Sequence, residues 1–377
     1  MNGRELLYSI YAGYQVDRLP LPSVSPWGET MERWNCEGLT PGADVNQELG
    51  LVSDDYAGLS LNLNMSPVFP IHIIDEGPEY VVLIDEFGVT KKMLRRDYNR
   101  SGGYQMTGGL SSSMSHWIEF PVKDLRSWKT LFEERFRPSI SDRVPAYWDE
   151  YIASFNQIAE TRWSTYGCYP FFGLFGSMRE LMGFEGLIFN MIDDPGLIHT
   201  IIDDLTGFWL EVFAQVTLNV RIDQVTFFED MCATKAPLIS PSMFREFLSA
   251  GYNRVIGGLR EMGVQQFWID TDGNAWDIIP EMLSYGITGF WPCEVNSGMD
   301  VGRLREKYPD LCISGGIDKR ALTGDFAQID REIERCYKIA WRDRRYIPAL
   351  DHGAPPDISW RNMQHFAKRC REWCIER

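Results

Sequence analysis

Five short apolar runs in the second half of this 377-residue sequence each lead into an acidic residue. Phe227-Phe228 is followed by Glu229-Asp230, Trp268-Ile269 by Asp270-Thr271-Asp272-Gly273-Asn274, and Trp291-Pro292-Cys293 by Glu294. Gly315-Gly316-Ile317 is followed by Asp318, and Ala349-Leu350 by Asp351-His352. A single acid in such a place caps the next helix. Five in succession, with an imidazole, can also supply general acid and base groups that shift one another's pKa, or oxygen and nitrogen ligands for a divalent metal. Asp270, His352 and Glu229 are the candidate catalytic groups, and Asp230, Glu294 and Asp318 the candidate substrate contacts. Asp270, Asp272 and His352 form the candidate metal set, because residues i and i+2 of an extended chain share a face. Trp27, Trp34 and Trp291 are candidate apolar walls. His352, between Asp351 and Gly353, is better placed for a site than His72, His116, His199 or His365. Serine nucleophile chemistry has no support, since no G-x-S-x-G turn occurs.

Positioning these residues requires strands that end just before them. The runs Ser164–Tyr169, Gln224–Phe228, Gln265–Ile269, Gly286–Phe290, Leu311–Ser314 and Tyr346–Leu350 have the length and apolar character of buried parallel strands. Helical stripes fill the gaps. Ser240-Pro241 reads as an N-cap and first turn ahead of Phe244, Phe247, Leu248, Val255, Ile256 and Leu259, and the 3.6-residue period recurs in Phe326–Ala340 and Met363–Cys374. This alternation predicts an α/β fold, a distorted (β/α)8 TIM barrel with an irregular N-terminal extension, in which the site lies at the carboxyl ends of the strands. One domain is expected over residues 1–377, irregular over about 1–150 and regular over about 160–377. Within the irregular part, a helix is expected at about 3–12 and a hairpin where Tyr80–Ile84 approaches Gly88. None of the double glycines forms a G-x-G-x-x-G or Walker loop.

A formal charge of −16 repels phosphate backbones and anionic headgroups, so neither nucleic acid nor a membrane surface is an expected partner. The eight cysteines include no C-x-x-C pair, which suits reduced thiols rather than a disulfide scaffold. Without a basic segment followed by an apolar leader, and without an apolar run long enough to span a bilayer, a cytoplasmic location is expected.

Several strings together resemble the uroporphyrinogen decarboxylase-like superfamily, which includes the decarboxylase and corrinoid-linked methyltransferases. They are Met1–Leu7, Val16-Asp17-Arg18-Leu19-Pro20, Ile118-Glu119-Phe120-Pro121-Val122-Lys123, Met182-Gly183-Phe184-Glu185 with Asp194-Pro195, Pro237–Pro241, Asp272-Gly273 and Gly315–Asp318. The resemblance runs nearly end to end and implies a distorted (β/α)8 barrel. The decarboxylase carries an R-Q-A-G-R segment for its polycarboxylate substrate, whereas this chain reads Ser25-Pro26-Trp27-Gly28-Glu29-Thr30-Met31-Glu32-Arg33-Trp34. Methyltransferases of the superfamily hold zinc with an H-x-C pair and a later cysteine, and the matching positions here are Asp270, Asp272 and His352. The resemblance therefore implies a methyltransferase-like enzyme with a small-molecule substrate. Methyl transfer would run to or from a corrinoid protein, assisted by zinc or another divalent metal, the corrinoid entering only through that partner. Two alternatives stay open: a decarboxylase using Asp270 or His352 as proton donor without cofactor, and a non-catalytic ligand-binding member.

Overall fold

A computed structural model describes residues 1–101 and 114–375. Seven parallel strands form the main sheet, in the order β1 (Tyr56–Gly58), β6 (Trp163–Gly167), β7 (Gln224–Phe228), β8 (Gln266–Asp270), β9 (Gly289–Trp291), β10 (Cys312–Ile317), β11 (Tyr346–Leu350). Each strand from β6 onward pairs with the next along the sequence, as right-handed βαβ crossovers favour. The expected bounds hold for β7 and β11, while β10 extends three residues past its expected end through Gly315-Gly316-Ile317.

Local chemistry sets the helices between them. Asn2 and Glu5 form a reciprocal capping box at the start of Gly3–Ala12, and Asp325 with Gln328 does the same for Phe326–Asp343. The latter helix buries Ile329, Ile333, Cys336 and Ala340 as one stripe, and Trp360–Trp373 buries Met363, Phe366, Ala367 and Cys370. Ser240 caps the turn that opens with Pro241, as its position in the sequence suggests. No helix of the described residues is long and apolar enough to cross a membrane.

The outer strands β1 and β11 are not paired to each other. Residues 18–26 run between them: Arg18 pairs with Asp55 at the foot of β1, and Pro26 makes a parallel bridge to Ala354 just beyond β11. Pro20, Pro22 and Pro26 remove three of the N–H donors that a regular ladder would need. The result among the described residues is a curled seven-stranded sheet, with an extended segment where the expected eighth strand would lie.

The N-terminal part is more regular than its sequence suggests. β2 (His72–Glu76), β3 (Tyr80–Ile84), β4 (Thr90–Leu94) and β5 (His116–Glu119) form an antiparallel sheet in that order. The expected Tyr80–Ile84 hairpin is its centre, with Val81, Leu83 and Met93 making a small core of their own. Helices Gly28–Cys36, Leu125–Arg135 and Trp148–Ala159 add further order. Short strands with one solvated face carry too few apolar residues to stand out in the sequence.

Candidate functional site

A cavity of about 300 Å³ opens at the carboxyl edge of the parallel sheet. Phe228, Asp270 and Trp291, the last residues of β7, β8 and β9, line it beside Asp230, Asp272 and His352. Tyr56 and Tyr169 add aromatic wall, and the extended segment contributes Leu21, Pro22, Ser23 and Ser25. Four of the sequence-derived acid and imidazole groups therefore meet in one place, with Trp291. Among the described residues no lysine or arginine lines this cavity.

The four polar groups differ in their surroundings. His352 Nε2 lies 3.1 Å from Asp272 Oδ2. Burial opposes a charged imidazole, but the hydrogen bond and charge of Asp272 outweigh it and raise the pKa of His352 above the ordinary histidine value. Asp230 adopts φ 40°, a left-handed conformation that aspartate tolerates better than most residues. Its carboxylate meets the guanidinium of Arg179, which also donates to the Asp230 carbonyl at 2.8 Å. Burial nonetheless raises the Asp230 carboxyl pKa on balance, since Arg179 only partly offsets it and Asp272 adds to it. Asp270 has no hydrogen-bond or ion-pair partner for its carboxyl group among the described residues. Burial, then the charges of Asp272 and Asp230, hold that carboxyl far above the usual aspartate range.

Other expected site residues take different places. Glu229 is fully buried and faces away from the cavity: its carboxylate accepts from the backbone N–H groups of Leu174 (2.7 Å), Phe175 (2.6 Å) and Gly176 (3.0 Å), and from the Tyr252 hydroxyl. It caps the helix Leu174–Asp193, which carries Arg179. A Cβ on Gly173 or Gly176 would fall 1.8 or 2.2 Å from the Phe228 carbonyl oxygen, so only glycine lets this helix start so close to the end of β7. Glu294 accepts from the Gly273 N–H (3.1 Å) and the Ser297 hydroxyl (2.9 Å), with Lys319 Nζ at 3.5 Å. Asp318 is occupied by Arg320. Both therefore tie loops together rather than line the cavity. Trp34 is core, packed on Trp360 with its indole N–H on the Ile358 carbonyl. Trp27 stands behind Gly353 and does not line the cavity.

The proposed metal set does not close on one point. Among the described residues no three histidine, cysteine, aspartate or glutamate side chains converge as donors. Asp272 is turned to His352, and neither thiolate of the methyltransferase zinc set is present. As placed, these three side chains do not converge as a donor set, and no step below runs through a metal.

Sequence reading missed Arg179, Tyr56, Tyr169 and Phe228. Arg179 had one signal: it is the first charged residue after the apolar stretch Phe171–Met178.

Residues 172–373, more than half of the chain, match the family model of uroporphyrinogen decarboxylase (URO-D). The chain belongs to the uroporphyrinogen decarboxylase family. A uroporphyrinogen decarboxylase from Hydrogenobaculum sp. (strain Y04AAS1) is 30% identical over 67 residues, 18% of this chain and 19% of that protein. The chain thus spans about a fifth of the length of the curated relative it matches. A methyltransferase from Methanosarcina mazei shares the fold, with a TM-score of 0.60 over 99% of each chain at 15% identity. Within the family fold, the acid cavity described above is built mainly inside the matched segment, from β7 to the residues just after β11.

The Asp272–His352 contact makes a direct prediction. In Asp272→Asn the imidazole keeps its burial and loses the charge that offsets it, so its pKa falls below that of the wild type. NMR titration of the His352 ring resonances reads the change, and an unmoved midpoint would show that Asp272 does not set the charge of His352.

Proposed function

We propose that this chain is a methyltransferase-type enzyme that demethylates a small neutral methoxyl compound, with Asp270 as the proton donor. The observation that carries the reading is the Asp270 carboxyl in the cavity, without a partner among the described residues and held far above its usual pKa. A carboxylic acid that keeps its proton above the usual aspartate range can donate a hydrogen bond to an ether oxygen and then the proton itself. In the step, a nucleophilic acceptor attacks the methyl carbon as the C–O bond breaks. The bonding pair stays on oxygen, which takes the Asp270 proton and leaves as the alcohol or phenol. The neighbouring Asp272–His352 pair supplies the proton for return to Asp270.

Charge argues for the substrate class. Among the described residues no lysine or arginine lines this cavity, so it offers no free cation to a substrate carboxylate, which disfavours a porphyrinogen with many acid groups. About 300 Å³ is at the low end of small-molecule sites, roughly 300–1,000 Å³, and suits one substituted ring. The expected acceptor is the corrinoid of a partner protein. The whole chain is read as a single barrel domain, with residues 18–26 closing the gap between β1 and β11.

Cofactor-free decarboxylation is a second reading, favoured by the family match. There the C–C bond breaks, CO2 leaves, and Asp270 protonates the remaining carbanion. One experiment separates the two. The purified protein is incubated with free cob(I)alamin and 2-methoxyphenol, and methylcobalamin and catechol are measured. Methyl transfer above the protein-free rate supports the first reading. Its absence, with CO2 released from 2-methoxybenzoate, favours the second.

A further inference from the structure

A second cavity of about 200 Å³ adjoins the first, and Asp230 lines both. Its character is opposite. Met114, Trp117, Phe120 and Phe184 form its walls, and its polar side is Arg179 with Glu180 and Asp230. The Arg179–Asp230 ion pair is therefore a threshold between an acid-lined chamber and an apolar one.

Two strings that the first chamber leaves without a role converge here. Val122 N–H donates to the Leu181 carbonyl at 3.0 Å, which ties the Ile118–Lys123 segment to the helix Leu174–Asp193. Gly183 interrupts that helix with φ 73° and ψ 164°. A Cβ at Gly183 would fall 2.4 Å from the Phe120 ring, so glycine both permits the kink and admits the ring. The kink leaves Phe184 at the cavity with 42% of its surface exposed, near Met114 at 68%. Apolar surface gathered around a concavity is surface that a ligand can cover favourably.

We infer that the substrate is bipartite: its methoxyl-bearing polar end sits against Asp270, Asp272 and His352, and an aryl or alkyl substituent crosses the Arg179–Asp230 threshold into the second cavity. The inference deepens the proposed reading and rests on it for the polar end of the ligand. Met114, Trp117 and Phe120 of this wall precede the segment matched by the family model, whereas Phe184 lies inside it. Arg179 and Asp230 neutralise each other at the threshold, which lets an uncharged chain pass without stranding a charge.

Binding of 2-methoxyphenol and 2-methoxy-4-propylphenol, measured by calorimetry, tests this without requiring turnover. Each buried methylene tightens binding by about fourfold, so the propyl compound is expected to bind the wild type at least about tenfold more tightly. In Phe184→Ala, and more so in Phe184→Asp, the two affinities converge. Phe189→Ala, on the same helix and outside the cavity, keeps the wild-type ratio. Equal affinities in the wild type, no binding of either compound, or a ratio that survives Phe184→Asp overturns the inference. A ratio that behaves as expected while neither compound is demethylated leaves the second cavity standing and removes the methyl-transfer reading.

Discussion

Replacing Asp270 by asparagine is expected to abolish turnover while making the protein more stable. The change keeps the shape and removes the transferable proton, and loss of a positioned general acid costs roughly 10²–10⁴-fold in rate. The gain in stability follows from the same burial. At a pH below the ordinary aspartate value of 3.8, the carboxyl is protonated in both the folded and the unfolded chain, and the two proteins differ little. As pH rises, the unfolded chain ionises while the folded one still holds its proton far above that range. The wild type therefore loses stability with rising pH until the folded pKa is passed, and asparagine does not titrate. Urea denaturation at pH 4 and pH 8 reads the difference, and a gap favouring the variant should open with pH. A wild type as stable as the variant at pH 8 would mean that Asp270 has a counter-charge and is not a poised acid. On the proposed reading, Asp270 is a position where function is maintained against stability.

How far the sequence could be read differs between neighbouring residues. Strands β7 and β11 are legible because each is a short run dominated by β-branched, aromatic or apolar residues and bounded by polar ones. The acids that follow them are legible for the same reason. Which acid faces the cavity is not. Glu229 and Asp230 are adjacent, and just past a strand one of two neighbours turns to the helix layer while the other turns to the mouth. Here the left-handed backbone of Asp230 settles the matter, and nothing in the sequence announces it. Arg179 lies 51 residues from its partner Asp230, a contact created by packing rather than by spacing. The three tryptophans show the same limit. Trp291 lines the cavity because it ends β9, whereas Trp34 is drawn into the core by Trp360 from the far end of the chain. Strand β1 is only three residues long and carries no periodic signal at all.

Glu229→Ala is expected to destabilise the fold by about 3–5 kcal/mol, a large share of the roughly 5–15 kcal/mol that holds a typical domain. Three buried N–H groups at the start of the helix Leu174–Asp193, and the Tyr252 hydroxyl, lose their acceptor together. Glu229→Gln is milder, because one oxygen remains, but its amide group points a donor at donors. The pH dependence separates this capping role from a catalytic one. Burial, outweighing the four hydrogen bonds that favour the carboxylate, raises the Glu229 pKa from 4.5 to about 7. Below pH 4.5 the side chain is protonated in folded and unfolded chains alike. Between 4.5 and 7 only the unfolded chain ionises, so the wild type loses stability as pH rises through this window. The glutamine variant does not titrate there, and its deficit against the wild type should shrink from pH 4.5 to pH 8 in urea denaturation. A deficit that grows with pH would mean that the folded carboxylate is stabilised by its helix cap more than burial penalises it. Because the capped helix carries Arg179, the folded glutamine variant is also expected to bind 2-methoxy-4-propylphenol with a reduced preference over 2-methoxyphenol, while a variant of a proton donor would change rate and leave that preference alone.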